Sequence, residues 1–156
     1  MIGFQSTITR KSGAILEAFE KKVRDSFALQ SFMTTIGAKM SSVDRGSVEI
    51  RFPCSAGLTQ QNGFVHAGAV ASIMDSACGY AAMSVAAEEA DVLSVEFKVN
   101  LMAPAVGESF IARAAVKRAG KRLSICTADA FAVNQDQEKL IATMLATMMN
   151  IEPKAK

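Results

Sequence analysis

The sequence predicts an α+β domain in which an antiparallel sheet packs on one long, buried helix. Three observations carry this reading. The segment from Ala67 to about Ala87 is apolar or small on nearly every side. Four strand candidates follow it in a row, with no helix between them. A strand hairpin precedes it. The chain has 156 residues and is 50% hydrophobic, enough for one domain with a sizeable core.

The elements follow in order. Ile15 to Phe32 has helical periodicity, with Ile15, Phe19, Val23, Phe27 and Leu29 on one side and Glu17, Lys21, Lys22 and Arg24 elsewhere. Ser12-Gly13 is a plausible start, Phe32 to Ile36 a weak continuation, and Gly37 a stop. Ala38 to Val43 reads as a strand, Asp44-Arg45-Gly46 as a turn, and Val48 to Phe52 as a strictly alternating strand ended by Pro53. Ser55 to Val65 is a loop rich in Gly, Gln and Asn. In the long helix, Val70, Ile73, Met74, Ala77, Cys78 and Ala81 form one stripe.

Leu93 to Leu101 then alternates. Leu93, Val95, Phe97, Val99 and Leu101 fall on one side, and Ser94, Glu96, Lys98 and Asn100 on the other. Pro104 and Gly107 mark a turn, and Ser109 to Lys117 is the next strand. Arg118-Ala119-Gly120-Lys121 reads as a basic hairpin turn, and Leu123 to Val133 as a strand. Asn134-Gln135-Asp136-Gln137 turns into the last strand, Lys139 to Asn150. The Met148-Met149 pair reads as core. Residues 1–35 are read as an N-terminal helical extension and 36–150 as the main domain.

Charge and cysteines exclude several functions. Seventeen Lys plus Arg against fifteen Asp plus Glu leave +2, too weak a balance to imply nucleic acid. No run of 18 apolar residues is free of charge, so no membrane partner is expected. The N-terminal residues lack a basic stretch followed by a long apolar core, so no secretory signal is expected. Cys54, Cys78 and Cys126 are odd in number, widely spaced and free of any Cys-x-x-Cys pattern. They read as reduced, mostly buried thiols of a cytoplasmic protein, and neither a metal site nor a cofactor is expected.

The densest chemical signal lies between Gln60 and Asp75. It contains His66, the only histidine, then the small residues Ala67, Gly68 and Ala69. Small residues at a helix start let a ligand approach the free backbone N–H groups. Asp75 sits in the middle of the apolar helix, where a charge is costly unless paired or useful.

The window Leu58-Thr59-Gln60-Gln61-Asn62-Gly63-Phe64-Val65-His66-Ala67-Gly68, with Asp75 nine residues after His66, resembles the hotdog-fold acyl-CoA thioesterases. The phenylacetate-pathway (PaaI-like) subgroup is the nearest match, over roughly residues 36 to 150. The resemblance implies a long central helix wrapped by an antiparallel sheet. Its motif runs Asn or Gln, Gly, His-Gly-Gly, then Asp on the central helix. Gln60 falls at the first position, His66 at the His, Ala67 and Gly68 at the two Gly, and Asp75 at the catalytic acid. A family serine on the following strand falls on Ser94. Ala67 departs from the pattern; it keeps the backbone N–H but adds a methyl group near the thioester. The resemblance also implies a homodimer, paired again into a tetramer, with each site shared between two subunits.

These residues suit thioester hydrolysis. The N–H groups of Ala67 and Gly68 are candidates to polarise the carbonyl, with help from the helix dipole. Asp75 is a candidate general base toward water or a direct nucleophile, and the sequence leaves both open. Gln60 and Ser94 are candidates to hold the water, with simple packing the rival role for Ser94. His66 reads either as a brace for the loop or as a proton-transfer group. Asp75 has its own bland rival, an ordinary buried aspartate capped by Ser72 or Ser76. Arg118, Lys121 and Arg122 are either a solvated turn or contacts for the phosphates of coenzyme A. The leading expectation is an acyl-CoA thioesterase. The alternatives are a hotdog-fold hydratase or dehydratase using His66 and Asp75, and a non-catalytic acyl-CoA binding module.

Overall fold

The computed structural model describes residues 17–152. The elements are α1 (Ala18–Ala28), α2 (Ser31–Thr35), β1 (Lys39–Asp44), β2 (Ser47–Pro53), a 3-10 turn at Ala56–Leu58, α3 (Ala67–Val85), β3 (Asp91–Leu101), β4 (Ser109–Ala119), β5 (Leu123–Asn134) and β6 (Gln137–Ile151). The strands form one antiparallel sheet in the order β1-β2-β4-β5-β6-β3. Alternation is clean in β2, where Val48, Ile50 and Phe52 are buried between exposed or half-buried neighbours. This is the α+β arrangement that the sequence predicts, with the sheet wrapped on α3.

The core lies between that helix and the inner face of the sheet. Ile73, Met74, Ala77, Cys78 and Ala81 of α3 are fully buried. Facing them are Ala112 and Ala114 of β4, Ala128 and Ala130 of β5, and Ala142 and Ala146 of β6. Alanine at these facing positions lets a helix lie close to a sheet without gaps.

The N-terminal helices pack on the same helix. Val23 is fully buried, Phe19 and Phe27 pack half-buried on the core, and the Phe27 ring meets Tyr80 edge-on at 5.7 Å. The Lys22 Nζ donates to the carbonyl oxygens of Ala87 and Ala90 in the loop after α3, which ties α1 to that loop. Gly37, at φ +71°, ends α2 in the left-handed region while the Ala38 N–H bonds back to Met33.

Several expectations are corrected. Leu29 does not join the apolar side of α1; the helix ends at Ala28 and Leu29 is 87% exposed. The expected Ile15 and the start at Ser12-Gly13 lie outside the described residues. Met149 is exposed on the outer face, while Met148 is core. Arg118 lies inside β4 rather than in the turn, which is Gly120-Lys121-Arg122. Cys54 is exposed, whereas Cys78 and Cys126 are buried; all three are free thiols.

The most consequential correction is in β3. Ser94 pairs with Met148 and Glu96 with Thr147, so Val95 is an extra, bulged residue. One extra residue switches which side chains share a face. Leu93 therefore parts company with Phe97, Val99 and Leu101. Ser94 leaves the polar row and turns inward, beside buried Met148.

Candidate active site

The start of α3 is built by its own first residues. His66 is the N-cap, and its Nδ1 accepts a 2.9 Å hydrogen bond from the Gly68 N–H. That bond requires a neutral ring with its proton on Nε2. It also explains the glycine, because a Cβ at position 68 would lie 2.9 Å from that same Nδ1. The Ala69 N–H bonds to the His66 carbonyl. Of the two N–H groups expected to polarise a carbonyl, that of Gly68 is thus engaged by His66, and that of Ala67 remains as the donor. His66 takes the bracing role.

Gln60 shapes the loop before the helix. Its Oε1 accepts from the Asn62 N–H at 2.5 Å, and its N–H bonds to the Phe64 carbonyl. Gln60, His66 and Ala67 line a cavity of about 630 Å³ with Phe64, Val70 and Met102 among its apolar walls.

Asp75 lies elsewhere. Its Oδ1 accepts a 2.6 Å hydrogen bond from the Ser94 hydroxyl, the contact made possible by the β3 bulge. Neither serine of the bland rival caps it: Ser72 donates to the Gly68 carbonyl and Ser76 to the Gln30 side chain. Asp75 and Ser94 line a second cavity of about 250 Å³ with Gln30, Gly79 and Tyr80. Asp75 lies eight positions along the helix from Ala67, about 12 Å at 1.5 Å per residue. Within one chain the donor and the carboxylate therefore line different cavities and do not bracket one thioester carbonyl.

The expected basic cluster is split as well. Lys121 and Arg122 line a third cavity of about 650 Å³ with Asn150, but Arg118 does not. The Asn150 Nδ2 donates to the carbonyls of Gly120 and Lys121 and so fastens the turn. Its buried Oδ1 has no partner among the described residues. Sequence reasoning missed Asn150, and also Gln30, Gly79 and Tyr80 around Asp75. Asparagine in a final strand carries no signal alone; Gly79 and Tyr80 follow Asp75 by about one turn of α3 and could have been read from that spacing, whereas Gln30 is brought in by the docking of the N-terminal helices.

Cys78 and Cys126 are not rival nucleophiles. Burial pushes the Cys78 thiol far up, with Cys126 and Asp75 nearby adding to the effect, and burial pushes Cys126 up to about 11. Thiols held protonated in this way are inert.

A sheet wrapped on a central helix, with donors at the helix start and a carboxylate further along it, defines the class of hotdog-fold enzymes. The model of the thioesterase superfamily matches residues 62–139, and the chain belongs to that family of thioester hydrolases. It is similar to a thioesterase family protein from Silicibacter pomeroyi, with 50% identity over 86% of this chain and 99% of that one, at a TM-score of 0.85. A conserved protein of Pseudomonas aeruginosa is 26% identical over 79% of this chain and 95% of its own, at 0.72. The Escherichia coli PaaI protein from the phenylacetic acid degradation operon shares the fold at 19% identity over 86% and 94%, with a TM-score of 0.77. No curated protein matches the chain significantly. No helix among the described residues is long and apolar enough to cross a membrane.

Proposed function

We propose that this chain hydrolyses acyl-CoA thioesters at sites shared between two copies. The observation that carries this reading is the Asp75 carboxylate, half-buried on α3 and held by Ser94 at 2.6 Å, yet about 12 Å along the helix from the Ala67 N–H. Each chain thus owns two half-sites. Antiparallel pairing of β3 with β3 of a second copy would bring the start of one β3, with Ser94, beside the end of the other. The loop after that end, Met102 to Ala105, lines the cavity of Ala67.

In the joined site the Ala67 N–H of one chain polarises the thioester carbonyl, and the helix dipole adds to it. Asp75 of the other chain takes a proton from water as its oxygen attacks the carbonyl carbon. The C–S bond then breaks and coenzyme A leaves as a thiolate, which needs no strong acid. Direct attack by Asp75, giving a mixed anhydride that water cleaves, uses the same geometry. Gln60 helps to hold the water. The hydratase alternative loses ground because His66 is committed to capping α3. An acyl-CoA binding module would show binding without thiol release. Apolar residues on the outer face, Leu93, Leu123, Leu145 and Met149, are 41–57% exposed, which favours a further pairing of dimers into a tetramer.

Asp75→Asn is expected to fold and to bind substrate, with kcat lowered at least about 100-fold. Mixing it with an inactive variant of the Gln60–Gly68 loop is expected to restore activity, since one hybrid site receives two intact halves. Normal turnover by Asp75→Asn, or no rescue despite proven subunit exchange, would remove this reading. If Lys121 and Arg122 hold the phosphates of coenzyme A, neutralising both should raise KM with little change in kcat. That effect should vanish on acyl-pantetheine substrates, which lack the nucleotide. An equal loss on both substrate types would refute the phosphate contacts.

A further inference from the structure

The cavity beside Asp75 has a wall from outside the segment that matches the family. Ser26 of α1 and Gln30, just before α2, line it together with Gly79, Tyr80 and Met83 of α3 and Asp91 at the start of β3. The Ser76 hydroxyl faces Gln30 Oε1 at 3.4 Å and links the two sides.

Gly79 is the informative residue. It lies within a 19-residue helix, where glycine weakens the structure relative to alanine. No neighbour demands it: a Cβ built there meets nothing within 4 Å among the described residues, unlike Gly68 and Gly120, where atoms lie at 2.9 and 2.5 Å. Gly79 is one turn beyond Asp75 and on the same face. What the glycine keeps is open space next to the carboxylate.

The geometry points to this cavity as the acyl-group subsite, with Gly79 setting the size it accepts and Gln30, from the N-terminal helices, setting its polarity. This rests on Asp75 being the group that acts on the thioester. A carboxylate that must reach the carbonyl carbon has the acyl group on one side and the pantetheine arm on the other. The larger cavity at the start of α3, about 630 Å³, suits the long arm, which leads outward to the nucleotide. The smaller cavity beside Asp75 suits the shorter, acyl end. Its volume is about 250 Å³, the space of about eight waters at roughly 30 Å³ each. It therefore takes a short acyl group of about eight heavy atoms or fewer. Serine, glutamine and tyrosine on its walls favour a polar substituent on that group.

Two measurements test this, one of them independent of catalysis. Thiol release is measured over acetyl- to dodecanoyl-CoA and for the matched pair butanoyl- and 3-hydroxybutanoyl-CoA. Binding of coenzyme A alone and of S-alkyl-CoA thioethers of the same lengths is measured by calorimetry. The wild type is expected to favour chains of about eight carbons or fewer. Gly79→Leu is expected to lower the octanoyl-to-acetyl ratio of kcat/KM by about 10-fold or more. The thioether affinities should shift in the same direction, with no change for coenzyme A alone. Gln30→Leu is expected to reverse the preference between the hydroxylated and plain butanoyl groups.

A wild type that prefers dodecanoyl-CoA would overturn the subsite, as would an equal loss on all lengths in Gly79→Leu, or a loss of dimer mass in that variant. If no thioester is cleaved but the thioether profile shifts with Gly79→Leu, the subsite stands and the hydrolase reading falls. If thioesters are cleaved with no dependence on position 79, the hydrolase reading stands and the subsite falls.

Discussion

The two edges of the sheet are built in opposite ways. β1 is six residues long, irregular between Met40 and Ser42, and carries Lys39, Ser41, Ser42 and Asp44 on its exposed positions. Arg24 of α1 also reaches the Met40 carbonyl. Short length, charge, irregularity and a covering helix are how an edge is kept from pairing. β3 has eleven residues and stands at the end of the strand order, with one side unpaired among the described residues. Leu93, Val95, Phe97 and Leu101 on it are 44–57% exposed. A long apolar edge of this kind is a template for another strand, and Ser94, which bonds Asp75, lies on it. One edge is closed by its own sequence, and the other is left open.

The largest effect is expected from breaking the open edge. Replacing Val95 and Phe97 together with Lys should give a particle of single-chain mass in light scattering, and thiol release should fall at least about 100-fold as the shared site separates. The matched change on the closed edge, Ser42→Lys, should alter neither mass nor rate. A dimer that survives the β3 double substitution with full activity would end the distinction between the edges.

The contrast also marks what can be read from sequence. The long helix, the hairpin and the strands along the chain are legible because each shows a period of its own: 3.6 residues around Val70, Ile73 and Ala77, and 2 around Val48, Ile50 and Phe52. The expected meander of the last four strands is not what forms, since β3 pairs with β6 and not with β4. The facing of Ser94 is not legible, because a bulge leaves no compositional mark. The alternation from Leu93 to Leu101 reads as continuous, although Val95 breaks it. The motif from Gln60 to Asp75 marks residues that the fold then distributes, with Gln60, His66 and Ala67 on one cavity and Asp75, bonded by Ser94, on another. It does not reveal that His66 consumes the Gly68 N–H, which is a matter of one side-chain rotamer. Nor does it reveal Gln30, brought to Asp75 across 45 positions of chain by the burial of Val23.

A smaller effect concerns how the closed half is tied to the open one. On the outer face Arg113 of β4 bonds Glu49 of β2 at 2.7 Å and grips both oxygens of Glu138 of β6 at 2.6 and 2.7 Å, with Phe131 under its guanidinium. The Arg113 hydrogen bonds hold the Glu138 carboxyl below its ordinary value. The folded pKa lies below the unfolded one, so the stabilisation is fully present above the unfolded value of about 4.3 and is lost as pH falls through the folded value. Both groups are about two-fifths exposed, so solvent screening limits the contribution to about 1 kcal/mol or less. Glu138→Gln should lower the melting temperature at pH 7 by a few degrees. The gap from wild type should close as the buffer is taken below about pH 4. A gap that is unchanged or wider in acid would show that the Arg113 grip does not stabilise the fold.

The smallest effect tests whether the hairpin that delivers β6, and through it the open edge, is set by its turn or by its strands. β5 and β6 are joined by Gln135 and Asp136, whose φ angles are +48° and +64°. Both central residues of this two-residue turn are left-handed, the geometry that matches the twist of the flanking strands and usually carries Asn-Gly. A side chain in that region costs about 1–2 kcal/mol. The register from Asn134–Gln137 to Ala130–Ala142 holds nevertheless, with one shift near Phe131. Long pairing and buried Ala130, Ala132 and Ala142 outweigh the turn. Asp136→Gly should therefore relieve strain without moving the register. Glycine's greater freedom in the unfolded chain offsets part of the gain. A net stabilisation of about 0.5–1 kcal/mol and a melting temperature higher by about 2–4 °C are expected, with dimer mass and thiol release unchanged. A lower melting temperature would mean that Asp136 makes a contribution to the turn that outweighs its backbone strain. A changed mass would mean that the turn, rather than the strands, governs how β6 presents the open edge.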